Sequence, residues 1–163
     1  LGICNGFQVL MKTGLFDVSA AEGPQATLAW NDCGHFIDRW VDLEVQGDKC
    51  IFLNGIHSLA LPIAHAEGKF VVRDEATLRA LDDAGNLVLR YAAGCNPNGS
   101  TSDVAGICDD TGRVFGLMPH PERFIDATHH PQWTRQRWSG NAAALAVDGV
   151  GLQLFRNAVL YFN

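Results

Sequence analysis

The chain has 163 residues, a length that predicts one domain or most of one. Its 18 acidic and 12 basic side chains give a formal net charge of −6, which argues against a nucleic-acid surface because that needs a basic stripe. No apolar run reaches the length of a membrane span. The five cysteines are odd in number and widely spaced, so we expect reduced thiols and a cytoplasmic location.

Apolar periodicity and turn residues predict an α/β chain with short connections. The expected strands are 1–3, 27–31, 35–45, 50–53, 61–64, 69–72, 87–91, 104–108 and 114–118. The expected helices start at residue 5 and stop at residue 14, run from 74 to 81, and run from 152 to 162. Residues 17–26, 96–100 and 126–148 are expected to be loops and turns, and residues 109–112 predict a hairpin. The last helix carries Leu152, Phe155, Val159 and Phe162 on one face.

The first residues form the sharpest local motif. Cys4 has Gly2 two residues before it and Gly6 two residues after it, between a predicted strand and a helix. A nucleophile elbow needs small residues there because the backbone turns so sharply that flanking side chains would clash. The turn places the Cys4 sulfur at a helix N-terminus, which favours the thiolate, and leaves the Asn5 amide available to a developing oxyanion. The alternative is a buried cysteine beside a glycine-bounded turn.

A thiolate nucleophile needs a base, and six histidines are candidates. His120 stands between Pro119 and Pro121, directly after a predicted strand. Prolines restrict the backbone to extended or turn conformations, in which residues two apart point the same way. Glu122 can therefore hold one ring nitrogen of His120 and leave the other for Cys4. The alternative is a strand-end histidine paired with a surface carboxylate.

Cys4 within residues 2–8, followed more than a hundred residues later by residues 119–123, resembles the class I (triad-type) glutamine amidotransferases. Within that class, residues 61–70, 96–100, 105–123 and 155–162 are similar to the glutaminase subunits of phosphoribosylformylglycinamidine synthases, a family of purine biosynthesis. The likeness extends from residue 1 to residue 162. It implies an α/β fold of the flavodoxin-like kind, a three-layer sandwich.

The resemblance also implies residue roles and partners. Cys4 would attack the side-chain amide of glutamine, His120 would act as general base and acid, and Glu122 would orient His120. Gln8 and Asn5 would contact the substrate, and one helical turn of spacing from Cys4 suits Gln8 for this. Ammonia would pass through a tunnel to a synthetase subunit or domain, with a small third subunit as a further partner. ATP and magnesium would serve the synthetase, and no cofactor or metal is expected in this chain.

This sequence departs from the family pattern in two places. The family has His-Gly-Glu-Gly where this chain has Ala66 in the second position, and we expect strain if that position needs a positive φ. The family also has an N-terminal portion before the elbow, which donates the second oxyanion amide. We therefore expect residues 1–163 to be the C-terminal part of a single domain, truncated at its N-terminus.

Other functions compete with the glutaminase interpretation. One is a different Cys-His-Glu hydrolase of the same fold, similar to gamma-glutamyl hydrolases. Another is a non-catalytic module that binds glutamine or docks on a synthetase. A metal site is disfavoured because the cysteines and histidines lack the close pairs typical of zinc sites. Residues 96–100 and 133–138 fit either a partner surface or ordinary turns and loops.

Overall fold

The computed structural model describes residues 1–17, 23–139 and 147–163. Its strands are β1 (Gly2–Ile3), β2 (Ala26–Trp30), β3 (Ile37–Val45), β4 (Ser58–His65), β5 (Glu67–Val72), β6 (Leu89–Tyr91), β7 (Val104–Cys108) and β8 (Phe115–Leu117). Its α-helices are α1 (Asn5–Lys12), α2 (Glu75–Asp83), α3 (Trp133–Trp138) and α4 (Gly151–Phe162). Short 3₁₀ turns lie at Ile51–Leu53, Thr101–Asp103, Pro121–Arg123 and Ala127–His129. These elements confirm the predicted α/β class.

The main sheet has the strand order β1-β8-β7-β6-β3-β4. β1 and β8 are parallel, whereas the other neighbours in this sheet are antiparallel. β2 and β5 form a separate antiparallel pair. Because β1 and β8 run in the same direction, the residues that follow them leave the sheet at the same edge. Those residues are Cys4 after β1 and the segment 118–120 after β8.

The predicted hairpin between β7 and β8 is present. The Asp109 carboxylate accepts hydrogen bonds from the backbone amides of Arg113 and Val114, at 3.0 and 2.9 Å. β7 and β8 then pair with Cys108 opposite Phe115. This local turn chemistry sets the register of β8, the strand that leads to His120.

The buried apolar residues form two clusters. α1 contributes Phe7 and Met11 to one cluster, and α2 contributes Leu81 to the same one. α4 contributes Leu154 to the other, larger cluster, in which Leu61 and Leu117 come from the main sheet. The helices therefore cover two separate cores, as a layered α/β fold requires.

The prediction of a strand over residues 50–53 is wrong. Residues Ile51–Leu53 form a 3₁₀ turn, closed by a 3.0 Å bond from the Leu53 amide to the Cys50 carbonyl. The side-chain amide of Asn157 donates to the carbonyls of Phe52 and Asn54, at 2.9 and 2.8 Å. A side chain from α4 thus satisfies backbone acceptors that a sheet neighbour would otherwise take.

The apolar face expected on the last helix is not the face by which α4 packs. Leu154 is fully buried, whereas Val159 is 59% and Phe162 65% exposed. Gly151 explains the choice, because a Cβ there would collide with the carbonyl oxygen of Pro121. The helix approaches the chain most closely along the face that contains Gly151 and Leu154, and much of the predicted apolar stripe stays open.

The expected surface loop over 126–148 contains regular structure. Residues Ala127–His129 form a 3₁₀ turn, and α3 follows within six residues. Residues 140–146 of this predicted loop, and 18–22 of the loop predicted at 17–26, lie outside the described residues. A six-residue helix is too short to leave a periodic apolar pattern in the sequence, so the prediction missed it.

Candidate active site

The turn at Cys4 has the geometry of a nucleophile elbow. Cys4 has φ 51° and ψ −107°, a backbone conformation that residues with a side chain rarely adopt. Its amide donates a 2.8 Å hydrogen bond to the Leu117 carbonyl, and α1 begins at the next residue. The strained residue is therefore held between the end of β1 and the start of a helix, as its predicted role requires.

The two flanking glycines are not equivalent. A Cβ on Gly2 would lie 2.5 Å from Leu10 Cδ1 and 2.7 Å from the Gly6 carbonyl oxygen, so only glycine fits. A Cβ on Gly6 would meet no atom within 4 Å. The expectation of a clash on both sides of Cys4 is correct for Gly2 and wrong for Gly6, because Gly6 lies in the helix and its side-chain direction is open.

His120 is fixed by its backbone and by Glu122. The His120 amide donates to the Pro62 carbonyl at 2.8 Å, which ties the residue to β4. Nδ1 of the ring lies 2.6 Å from Glu122 Oε1, a short charge-assisted contact. Glu122 is presented by the 3₁₀ turn Pro121–Arg123, where Pro121 fixes the first position. The structure thus places the carboxylate on one ring nitrogen and leaves Nε2 for another group.

Cys4 and His120 interact electrostatically. The neighbouring Cys4 thiol raises the pKa of His120, burial of the ring opposes that rise, and Glu122 adds to it. In this structure the Cys4 thiol points to the carbonyl oxygen of Ala64, 3.7 Å away. His120 Nε2 is buried without a hydrogen-bond partner among the described residues. A ring nitrogen that stands free beside a thiol can take or give a proton there.

The two expected substrate-binding residues both lie on α1. Asn5 is the first residue of the helix and is exposed, so its amide has no partner within the helix. Gln8 lies one turn further on, and its side-chain nitrogen donates to the Glu67 carbonyl at 2.7 Å. Gln8 is therefore a tether to the connection between β4 and β5 in this structure, and its contact with substrate stays a prediction.

The connection between β4 and β5 lies directly over the elbow. The Ala64 carbonyl accepts the contact from the Cys4 thiol, and the Glu67 carbonyl accepts the hydrogen bond from the Gln8 side chain. Ala66 is the single residue between the two strands, and its φ is not positive. Alanine is thus tolerated at this position without backbone strain.

Sequence reasoning missed a buried pair beside this connection. His65 is 4% and Asn31 2% exposed, and His65 Nδ1 lies 3.0 Å from Asn31 Oδ1. The residues are 34 positions apart, so no local spacing links them. The sequence signal at this position is His65 itself, which directly precedes Ala66 at the place of the family's His-Gly-Glu-Gly motif.

Buried polar atoms without partners cluster near Cys4. Among the described residues they are His65 Nε2, Tyr91 Oη, Asn98 Nδ2 and His120 Nε2. Burial raises the pKa of Tyr91, the Asn98 side chain opposes this, and charge on Cys4 raises it further. Burial also lowers the pKa of His65, and charge on His120 lowers it further. These interactions link all four groups to Cys4 or to one another, so we refer to them as the polar cluster around Cys4.

The turn at 96–100 has a structural role. The Asn96 side-chain oxygen accepts from the amides of residues 98, 99 and 100, and Ser100 Oγ accepts from the Phe70 amide at 3.0 Å. Asn98, which is only 1% exposed, is held within the turn because its side-chain oxygen accepts hydrogen bonds from the Ser100 amide and hydroxyl, at 3.1 and 2.8 Å. A partner-facing role for this turn stays a prediction.

Within residues 1–17, 23–139 and 147–163, no group of three or more histidine, cysteine or acidic side chains is arranged to hold a metal ion. The same ranges contain no helix that is both long and apolar enough to cross a membrane. The described cysteines are all free thiols.

Comparison with known sequences identifies a family. CobB/CobQ-like glutamine amidotransferase domains match residues 1–162. Phosphoribosylformylglycinamidine synthase subunit PurQ of Dehalococcoides mccartyi is 42% identical over 166 residues, covering 98% of this chain and 62% of the relative. The subunit of the same name from Methanococcus maripaludis is 37% identical over 179 residues, covering 100% of this chain and 65% of the relative. The chain therefore spans less than two thirds of the length of these curated relatives.

Solved structures give the same result for the fold. The structure of PurLQS from Thermotoga maritima matches with a TM-score of 0.69 at 32% identity, covering 99% of this chain and 61% of that chain. A glutamine amidotransferase from Thermotoga maritima matches with a TM-score of 0.54 at 18% identity, covering 98% of this chain and 60% of that chain. These matches confirm the predicted class I fold.

Proposed function

The chain belongs to the family of CobB/CobQ-like glutamine amidotransferase domains, and from this premise we propose that it hydrolyses the side-chain amide of glutamine. The ammonia would be used by a synthetase that makes formylglycinamidine ribonucleotide in purine biosynthesis. The relatives named phosphoribosylformylglycinamidine synthase subunit PurQ support this assignment. So does the likeness to PurLQS, from which we infer a synthetase partner and a small third subunit.

We further propose that residues 1–163 form the C-terminal part of one amidotransferase domain and act in the cytoplasm. The share of 62 to 65% of the curated relatives' length supports the statement that these residues are part of a domain, and their place at its C-terminal end rests on the resemblance given above. The synthetase would supply the ATP and magnesium chemistry, so this chain needs only to produce ammonia. Its own residues then have one task, which is acyl transfer to a thiol followed by hydrolysis.

In the first half-reaction the Cys4 thiolate attacks the amide carbon of glutamine, and a tetrahedral oxyanion forms. The Asn5 amide donates to that oxyanion, because first-turn amides lack helical partners. Protonated His120 gives its proton to the amide nitrogen, the carbon–nitrogen bond breaks, and ammonia leaves. The products are the thioester on Cys4, ammonia and neutral His120.

In the second half-reaction neutral His120 takes a proton from water while the oxygen attacks the thioester. The carbon–sulfur bond breaks, which returns the Cys4 thiolate and protonated His120 and releases glutamate as its acid. The acid then loses its proton to solvent. Glu122 stays ionised at Nδ1 throughout and stabilises the positive ring, as the carboxylate does in other nucleophile–histidine–acid triads.

The single observation that carries the proposal is the position of His120. Its Nδ1 is held 2.6 Å from Glu122, and the neighbouring Cys4 thiol raises its pKa. A histidine tied in this way beside a strained cysteine is poised for nucleophilic catalysis. A module that only bound glutamine would have no need of this arrangement.

The test uses the full-length protein that contains these residues, with its synthetase. Cys4→Ser is expected to abolish ammonia release from glutamine, while synthesis from added ammonium salt continues because it bypasses Cys4. Cys33→Ser is the matched control, since Cys33 is an exposed free thiol to which the proposed mechanism gives no role. Release of ammonia by Cys4→Ser at the wild-type rate would overturn the proposal. Glutamine hydrolysis that proceeds fully without any synthetase would favour the gamma-glutamyl hydrolase alternative.

A further inference from the structure

We propose that His65 accepts a hydrogen bond, through Nε2, from the nitrogen that leaves glutamine as ammonia. The inference rests on the proposed glutaminase function and adds a binding group for the leaving nitrogen to it. It starts from the buried pair His65 and Asn31, which the triad does not use. The hydrogen-bond partners of the His65 ring determine which of its two nitrogens carries the proton. The residues packed around the ring determine what surrounds the other nitrogen.

Asn31 fixes the tautomer of His65. Its side-chain nitrogen donates to two carbonyls, those of His65 at 2.8 Å and His35 at 3.1 Å, so the amide cannot be turned over. Its oxygen faces two donors, the Gly68 amide at 3.3 Å and His65 Nδ1 at 3.0 Å. Since this oxygen only accepts, Nδ1 of His65 carries the proton. Nε2 therefore has a lone pair and is an acceptor.

The protein leaves this acceptor without a partner. His65 is 4% exposed, and Nε2 makes no hydrogen bond to any described residue. Gly68 packs against the ring, where any Cβ would collide with Cε1 and Nδ1. A buried polar atom that is locked in place without a partner carries a desolvation cost. A bound ligand that donates a hydrogen bond removes this cost.

The place of the ring indicates which ligand donates. The preceding residue, Ala64, accepts from the Cys4 thiol, and charge on His120 is felt at His65. The acceptor thus belongs to the residue next to the one that contacts the nucleophile, within electrostatic reach of the proton donor. Glutamine has two nitrogen groups with N–H donors, and the side-chain amide is the one that the thiolate attacks and therefore the one that comes to the elbow. The leaving nitrogen keeps its N–H groups while it becomes ammonia, so it can donate to Nε2 at every stage.

The charge state of His65 suits this role. Burial, and next the charge of His120, lower its pKa to about 4, so the ring stays neutral at physiological pH. A neutral Nδ1–H imidazole accepts a hydrogen bond from ammonia but has no proton to give through Nε2. Ammonia therefore leaves as the neutral nucleophile that a synthetase needs, and the proton for the leaving nitrogen comes from His120.

Two substitutions separate the acceptor from the scaffold. His65→Asn can keep a donor toward Asn31 but has no acceptor where Nε2 stands. His65→Gln reaches further and can place its amide oxygen near that position. We expect His65→Asn to lower kcat for glutamine hydrolysis roughly tenfold, with a smaller change in KM, because the bond strengthens as the nitrogen leaves. His65→Gln should retain more activity.

The assay uses the full-length protein with its synthetase and follows both glutamine-dependent and ammonium-dependent synthesis. The ammonium-dependent rate should be unchanged in both variants. His57→Asn is the matched control, since it makes the same substitution at an exposed histidine. Equal losses in the two His65 variants, or a kcat/KM within twofold of wild type in His65→Asn, would overturn the inference. Absence of ammonia release from the wild-type protein would instead overturn the proposed function.

A second measurement does not depend on these variants. In Cys4→Ser labelled with ¹⁵N-histidine, saturating glutamine should move the His65 Nε2 resonance toward that of a hydrogen-bonded acceptor, while Nδ1 stays protonated. A purely structural role of His65 predicts no such movement. An Nε2 resonance that is unchanged at saturation, or a ring protonated at Nε2, would overturn the inference.

Discussion

The backbone amide of Cys4 donates a 2.8 Å hydrogen bond to the carbonyl of Leu117, the last residue of β8. This bond joins the nucleophile turn to the strand that delivers His120, since only Met118 and Pro119 separate Leu117 from it. The parallel pairing of β1 with β8 extends the link through Gly2 and Gly116. The relative position of thiol and imidazole is therefore set by sheet pairing and not by a loop.

The elbow predicts opposite effects for alanine at its two glycines. Gly2→Ala should lower the free energy of unfolding by about 1–3 kcal/mol, because the new methyl overlaps Leu10 and the Gly6 carbonyl. Gly6→Ala should raise it by about 0.5–1 kcal/mol, because the methyl has open space and alanine favours the helix. Urea unfolding of both variants measures the difference. Equal losses at the two positions would contradict the elbow geometry.

Glu122→Gln should change the pH dependence of stability. Cys4 and then Glu122 raise the pKa of His120 against the effect of burial, so the native state holds that proton more tightly than the unfolded chain. The stabilisation is complete below the ordinary histidine pKa of about 6.5 and is lost as pH rises through the raised value. Wild type should exceed Glu122→Gln in stability most at the acid side of this range.

The same variant should be catalytically weak. Without the carboxylate at Nδ1, the ring of His120 loses its orientation and the positive form loses its partner, so kcat for glutamine should fall on the order of 10²-fold. Ammonia release from glutamine across the pH range measures this. A kcat that is unchanged at every pH would show that Glu122 does not support His120.

Much of the site could be predicted because its signals are local. The elbow residues, the hairpin turn and the proline-bounded His120 each lie within a few positions, where backbone sterics determine the structure. The pair of His65 and Asn31 could not be predicted in this way, since 34 residues separate them and only the folded chain brings them together.

The packing of α4 escaped prediction for a different reason. Three- and four-residue spacing fits the face with Phe155 and Val159 as well as the face with Leu154. The structure buries the second face, where Gly151 allows a close approach to Pro121 and the polar Asn157 finds carbonyl partners about a hundred positions earlier in the chain. Periodicity alone gives no information about such partners.

His65 should make stability depend on pH in the opposite sense from His120. Its native pKa of about 4 lies below the ordinary value, so the unfolded chain binds the proton more readily between these values. Stability should therefore fall as pH drops through this range, by about 3 kcal/mol in total. Unfolding of wild type and His65→Asn between pH 7 and pH 4 measures it, and the difference between the two proteins should shrink toward pH 4. A difference that is constant with pH would mean that His65 is not buried as a neutral ring.

Asn157 offers a test of how α4 is attached. It is 7% exposed and donates to the carbonyls of Phe52 and Asn54 at 2.9 and 2.8 Å. Asn157→Leu keeps a side chain of similar size but leaves both carbonyls without a donor, so we expect a loss of about 2–4 kcal/mol in the free energy of unfolding. Asn54→Leu is the matched control, because that side chain is exposed and the change should stay within about 0.5 kcal/mol.

Urea unfolding with constant m-value gives both numbers. The loss in Asn157→Leu should be accompanied by faster hydrogen exchange in Ile51–Leu53 and in α4, because the hydrogen bonds of this side chain join the two segments in addition to their apolar contacts. Protection of these segments that equals wild type, together with wild-type stability, would mean that apolar contacts such as Leu154 hold α4 without Asn157.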